Sequence, residues 1–284
     1  MKKIATIVCL LVSFNGIAQP KVSSDKIPGS DCDNTAIDQF VGADNRSATP
    51  CEVQLDQKIR AAFRQAFAKL MNEWNDKDWT VSINSNSELK KITNIGRGTE
   101  RQFFDPAFAD AGNFYLELNM NPTTAAYKDY FTRYAALMDE MKSDASGAAY
   151  QKFAAHYYIV RSATNICINT YVNNEFGKLY IYKGDVKPIK VPGAAYAARA
   201  SHVQKGPGPE ESVDACLIVF GNAKTKLTKH GDGTQTLHVE SAFPVKTSRL
   251  TVQHVAIRIE CNAELLEKVI RDVDWQAIAK LVGQ

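Results

Sequence analysis

The chain has 284 residues, 45% of them hydrophobic and 23% charged, with a formal net charge of +3. These values describe an ordinary globular chain and exclude a disordered polyelectrolyte, a collagen-like repeat and a strongly cationic nucleic-acid binder. Beyond the N-terminus no apolar run approaches the length needed to span a bilayer as a helix.

Lys2 and Lys3, the apolar run Ile4 to Phe14, and the small residues Gly16 and Ala18 before Gln19-Pro20 have the three parts of a secretory leader. We expect residues 1–18 to be a signal peptide cleaved after Ala18. A run of about eleven residues makes a helix of roughly 16 Å against a hydrocarbon core of about 30 Å, so no transmembrane anchor is expected after cleavage. Cleavage removes two lysines and no acid, which lowers the formal charge from +3 to +1. The expected compartment is periplasmic or secreted, where disulfides persist. Of the remaining cysteines, Cys32 and Cys51 bracket a loop-rich stretch, and Cys216 and Cys261 lie on expected strands; we expect disulfides within each of these two pairs. Cys167 is then left as a buried thiol.

Residues 19–50 read as a loop-rich linker, with Asp31, Asp33 and Asp44 spaced unlike a calcium loop. From Val53, the residues Leu55, Ile59, Phe63, Phe67, Leu70 and Trp74 recur at helical spacing. Trp79 to Ile83 alternates as a strand. Gly96-Arg97-Gly98 lacks the rest of a dinucleotide or phosphate-loop fingerprint and reads as an irregular loop. Phe114, Leu116 and Leu118 predict a strand. Pro122 opens a helix in which Tyr127, Phe131, Tyr134, Leu137 and Met141 point to a central position in the N-terminal half. A short helix follows around Tyr150 to Tyr157, then a strand from Ile159 to Val172.

Residues 183–212 lack a clear period and hold several glycines, prolines and lysines, which suggests a seam or flap. Strands follow at Val213 to Phe220, Lys224 to Lys229, Thr234 to Glu240 and Leu250 to Glu260, with Gly231-Asp232-Gly233 as a hairpin turn. Lys224, Lys226 and His230 share one strand face and read as a charged edge that discourages sheet aggregation. Val255, Ile257 and Ile259 alternate with Ala256, Arg258 and Glu260, and the helices from Asn262 and Asp274 are expected to cover the apolar side.

The fold class expected from these elements is α+β: a helix-rich N-terminal half and a small, mostly antiparallel sheet covered by C-terminal helices. The corresponding divisions are a helix-rich lobe at 51–175 and a sheet lobe at 176–284. If the last two strands paired as a hairpin, His238 would face His254, with Arg258 and Glu260 on the same side; these four residues are the candidate binding set. Two imidazoles and a carboxylate in convergence could also support an extracytoplasmic, metal-assisted hydrolase. No His-Glu-x-x-His, Gly-x-Ser-x-Gly, Ser-x-x-Lys or Cys-x-x-Cys accompanies them. The expectation is therefore a non-enzymatic binding or accessory module of the cell envelope, without cofactor, whose partner is an envelope protein or glycan and not nucleic acid.

Overall fold

The computed structural model describes residues 45–47, 50–75, 77–85, 91–93, 114–144, 146–173, 178–182, 184–204, 212–241 and 251–283. The expected signal peptide, Cys32 and the Gly96-Arg97-Gly98 loop lie outside these residues, as does nearly all of the expected linker.

The strands are β1 Asn45–Ser47, β2 Trp79–Ser85, β3 Lys91–Thr93, β4 Phe114–Met120, β5 Asn165–Val172, β6 Lys178–Ile181, β7 Lys187–Pro188, β8 Tyr196–Gln204, β9 Ser212–Gly221, β10 Ala223–Lys229, β11 Gln235–Ser241 and β12 His254–Glu260. The helices are α1 Pro50–Ala66, α2 Ala68–Glu73, α3 Ala125–Ser143, α4 Ala148–Thr164, α5 Ala263–Asp272 and α6 Trp275–Ala279. β1 pairs with β3 alone, whereas ten strands form one antiparallel sheet in the order β10-β11-β6-β8-β9-β12-β5-β4-β2, with β7 beside β8.

This sheet corrects the expected fold class. The protein is not a helix-rich half joined to a small sheet: a single ten-stranded sheet draws its strands from both halves of the chain. The difference arises at β12. Its burial is continuous rather than alternating, because it lies between β5 and β9 with Val255, Ile257 and Ile259 buried on one face and Ala256 on the other. A strand buried on both faces takes a central place, and both of its neighbours, β5 and β9, precede it in the chain.

One face of the sheet carries the larger core. Phe114, Leu116 and Leu118 of β4, Ile166, Ile168 and Val172 of β5, and Val255, Ile257 and Ile259 of β12 pack with Ile59, Phe63 and Phe67 of α1 and the turn after it, and with Leu266, Val269 and Ile278 of α5 and α6. Phe67, stacked on Phe114 at 5.7 Å between ring centres, breaks the first helix with φ −95 and ψ 8. Asn262 caps α5 by accepting from the Leu265 N–H at 2.9 Å, and Asp274 caps α6 by accepting from Gln276 N and Ala277 N.

The opposite face closes on itself. Leu179 and Ile181 of β6, Leu237 and Val239 of β11, Ala198 and Ala200 of β8, Leu217 and Val219 of β9 and Ala256 of β12 form a second core made wholly of strand residues. Strands several positions apart share that core only if the sheet coils, as strand twist favours. Small residues at Ala198, Ala200, Ala215 and Ala256 let the layers approach.

Two local expectations change as well. The helix at 148–164 extends through Ile159 and Val160, so the following strand starts only at Asn165; Thr164 Oγ1 donates to the Val160 carbonyl at 2.7 Å and completes the last turn. Helix α3, expected to be central, has no buried residue among its 19 and packs on α4 through half-buried rings, with Tyr134 5.2 Å from Phe153 and 6.1 Å from Tyr157.

Cys216 and Cys261 are free and buried, which corrects their expected disulfide. Cys216 stands opposite Ile259, while the Cys261 N–H donates to the Asp214 carbonyl, so the two thiols are diagonal neighbours across β9 and β12. Diagonal positions are separated by about 7–8 Å, beyond the usual reach of a disulfide. Cys51 is buried in α1, and the Cys32 with which it is expected to pair lies outside the described residues.

Candidate functional site

His238 and His254 do not meet. β6, β8 and β9 lie between β11 and β12, so the hairpin that would have joined the two imidazoles does not exist. His238 sits opposite Lys226 on one side and Lys178 on the other, and His254 is fully buried opposite Gly221. Arg258 and Glu260 do come together, with Nη2 2.9 Å from Oε1 and side chains 14% and 7% exposed. Arg258 also donates from Nη1 to the Lys178 carbonyl at 3.1 Å. Among the described residues no three His, Cys, Asp or Glu side chains are arranged to hold a metal ion.

Around that pair, the coiled face carries a polar network. Cys167 stands between Glu117 and Glu260 in the register, and its thiol donates to Tyr115 Oη at 3.1 Å. Asn165 Nδ2 donates to Glu117 Oε1 at 2.9 Å and to Asn119 Oδ1 at 2.7 Å. Burial, and then the contact with Cys167, pushes the Tyr115 hydroxyl far above its ordinary range. Cys167 is 3% exposed.

A different polar cluster joins α4 to the sheet. The Tyr158 hydroxyl donates to Asp214 Oδ1, and its ring stacks on His202 at 4.4 Å. His202 has φ 51 within the register shift between Ala200 and Val203, a conformation uncommon for a non-glycine residue. Burial and the Asp214 contact both raise the Tyr158 pKa.

A concave site lies elsewhere, on the helical face. A cleft of about 470 Å³ opens between α2 and α5 on one side and α3 and α4 on the other, with the ends of β2 and β4 as its floor. Trp74, Trp79 and Tyr130 supply its aromatic walls, and Glu73, Asp78 and Glu264 outnumber the one lining cation, Lys268. Trp74 and Trp79 meet at 5.8 Å between ring centres and 53° between planes, which makes an aromatic corner rather than a flat stack. The corner is fixed from behind: Trp74 Nε1 donates to Asp272 Oδ2 at 3.1 Å, and Lys69 Nζ donates to Asp272 Oδ1 at 2.8 Å. Burial pushes the Asp272 carboxyl up, but hydrogen bonds from Lys69 and Trp74 and the charges of Lys69 and Arg271 outweigh it and leave the pKa below the ordinary value.

The floor is held by Asn121, whose N–H donates to the Asp78 carbonyl at 2.8 Å and whose Nδ2 donates to the Lys77 carbonyl at 2.7 Å. At the far wall, the Asn262 N–H donates to the Ser162 carbonyl at 2.6 Å, tying α5 to α4. Lys268 is engaged with Glu264 at 3.0 Å. The cleft therefore presents aromatic faces under a net acidic rim, a setting that favours a ligand with an apolar ring, a hydrogen-bond donor or a positive charge.

Sequence reasoning placed Trp74 on a core helix face and Trp79 at the start of a strand, and it gave neither a binding role. Periodicity marks a residue as inward-facing without distinguishing a filled core from a lined cleft. Searches against family models, characterised proteins and solved structures find no match to this chain.

Proposed function

We propose that the protein is an exported, non-enzymatic binding module of the cell envelope, and that the cleft beneath Trp74, Trp79 and Tyr130 is its ligand site. The observation that supports this is the cleft itself: about 470 Å³ of concave space with aromatic walls and a few polar groups at the rim. That volume falls within the range typical of small-molecule sites. No described cluster offers a nucleophile, a base and an orienting group around this space, and the His238 and His254 face of the hydrolase alternative is not assembled. The ligand class is neutral to cationic, since Glu73, Asp78 and Glu264 would repel an anion.

The leader-like residues Lys2 to Ala18 are what supports export. The test is native mass spectrometry of protein purified from its own producing cells, followed by a structure with whatever small molecule is retained. Density for a ligand against Trp74 and Trp79 supports the proposal. A retained ligand that lies outside the cleft overturns it.

A further inference from the structure

Resting on the reading of the cleft as the ligand site, we propose that what it takes is a small molecule bearing a quaternary ammonium group, seated in the corner between Trp74 and Trp79. Both indoles pack against the edge of the larger core while remaining half-exposed, so each ring gives one side to the core and leaves the other to the cleft. Their planes meet at 53°, with centres 5.8 Å apart. A methylated cation is round, and two ring faces set at an angle touch more of it than one flat face does. Positive charge over a ring face is attracted by the ring's quadrupole, most strongly over indole.

The rings are held in place before a ligand arrives. Trp74 Nε1 donates to Asp272, whose side chain is 9% exposed and whose pKa lies below the ordinary value, so the indole N–H meets a carboxylate that stays charged. A donor bonded to an anion pushes electron density back into its own ring, which deepens the negative potential over the indole face. Trp79 opens β2 opposite Met120 of β4, which also lines the cleft. The third aromatic wall, Tyr130, is tied to α4 by His156, 6% exposed, whose Nε2 donates to the Tyr130 carbonyl at 2.9 Å. Walls fixed in advance lose little freedom on binding.

The rim decides between kinds of cation. Glu264 is bonded to Lys268 at 3.0 Å, and Glu73 lies 4.0 Å from Lys69. A lysine thus competes for the oxygens of each, and a ligand N–H gains less from them than its lost hydration costs. A quaternary ammonium needs no acceptor, because its surface is made of methyl groups that suit the apolar sides of Met120, Leu265 and Ala163. The carboxylates act on it through their field instead. Even with Lys69 and Arg271 counted beside Lys268, the acids Glu73, Asp78, Glu264 and Asp272 outnumber the bases. A neutral ring gains nothing from that excess, and an anion is repelled by it.

The test follows tryptophan emission of the full chain during titration with choline, with ethanolamine as its primary ammonium counterpart, and with the uncharged analogue in which carbon replaces the choline nitrogen. Saturable choline binding, at least tenfold tighter than that of either other probe, is the expected result. Trp79→Phe and Tyr130→Leu should each weaken it severalfold with an unchanged circular-dichroism spectrum. Protein grown with fluorotryptophan keeps the ring shape but has a weaker quadrupole, so it should lose affinity for choline and retain that for the carbon analogue. Phosphatidylcholine vesicles that bind and are displaced by free choline would assign the head group to a lipid, and choline binding without vesicle binding would assign it to a soluble molecule; both support the proposal. Equal affinity for choline and the carbon analogue, each weakened by Tyr130→Leu, would overturn it while leaving the cleft as the ligand site. Choline that fails to saturate, or that binds fluorotryptophan protein as it binds the parent, would also overturn it, and the position of the retained ligand then judges the cleft separately.

Discussion

Arg258 on β12 donates from Nη1 to the backbone carbonyl of Lys178 on β6, at 3.1 Å, although β8 and β9 separate these strands in the sheet. This bond spans the coil, and the same guanidinium holds Glu260 at 2.9 Å. Arg258 thus links the two sides of the strand-only core. Removing it leaves Glu260 buried without its cation, so Arg258→Ala should cost about 3–5 kcal/mol in urea unfolding. Replacing both partners, as Arg258→Met with Glu260→Leu, should recover most of that loss. Equal destabilisation by the single and double changes would argue against the bridge as the cause.

Gly221 predicts a second large effect. Its φ is +86, and a Cβ there would lie 2.3 Å from the Gln253 carbonyl oxygen and 2.9 Å from Val282 Cγ1. The turn from β9 to β10 therefore runs against the start of β12 with no space for a side chain. Gly221→Ala should destabilise the protein by more than about 2 kcal/mol, from left-handed strain and backbone overlap together. A midpoint in urea unchanged from the parent would show that the chain relaxes around this contact.

Asp144 gives a prediction at acid pH. It accepts from Ser146 Oγ, from Ala149 N at 2.6 Å and from Ser146 N at 2.8 Å, and these bonds pull its carboxyl down to about 2. Gly147, before α4, offers no side-chain cap, so Asp144 takes that role. A depressed carboxylate stabilises the fold above its unfolded value near 4, and that contribution is lost as pH falls through about 2. The melting-temperature gap between parent and Asp144→Ala should therefore narrow from pH 5 to pH 2. A constant gap would remove the carboxylate from the explanation.

At alkaline pH the relevant group is Cys216. Burial pushes its thiol up to about 12, against 9.0 when unburied. The folded state then retains a proton that the unfolded chain releases, so this contribution is complete below about pH 9 and is lost as pH rises toward 12. Cys216→Ala should melt with a shallower decline between pH 8 and pH 10.5 than the parent. A disulfide reagent should modify Cys167, Cys216 and Cys261 only on unfolding.

The parts of this architecture that sequence reveals are the local ones. Leu55, Ile59 and Phe63 mark a helix, Phe114, Leu116 and Leu118 mark a strand, and Asn262 and Asp274 mark helix starts, because each pattern is a property of neighbouring residues. Pairing is not local. β12 lies between β5 and β9, and nothing in Val255 to Ile259 specifies those partners rather than β11. β8 was hidden for another reason: in Tyr196-Ala-Ala-Arg-Ala-Ser-His-Val-Gln204 both faces carry small or mixed residues, so burial of Ala198 and Ala200 leaves little hydrophobic contrast. The residues that line the cleft were the least legible. Arg258 and Glu260 are joined as strand neighbours on one face, whereas the cleft takes Trp74 from the end of one helix, Trp79 from a strand and Tyr130 from another helix.

The most direct test of the cleft uses its own tryptophans. Trp74 and Trp79 line it, while Trp275 is buried in the larger core, so ligand entry should quench or shift the emission of the first two. A fluorescence titration with the ligand recovered from the producing cells should saturate in the parent, and Trp79→Ala should raise Kd by about thirtyfold, as removal of a central aromatic contact of about 2 kcal/mol implies. Saturation with an unchanged Kd in Trp79→Ala, in a variant that remains folded, would place the ligand elsewhere and contradict the account.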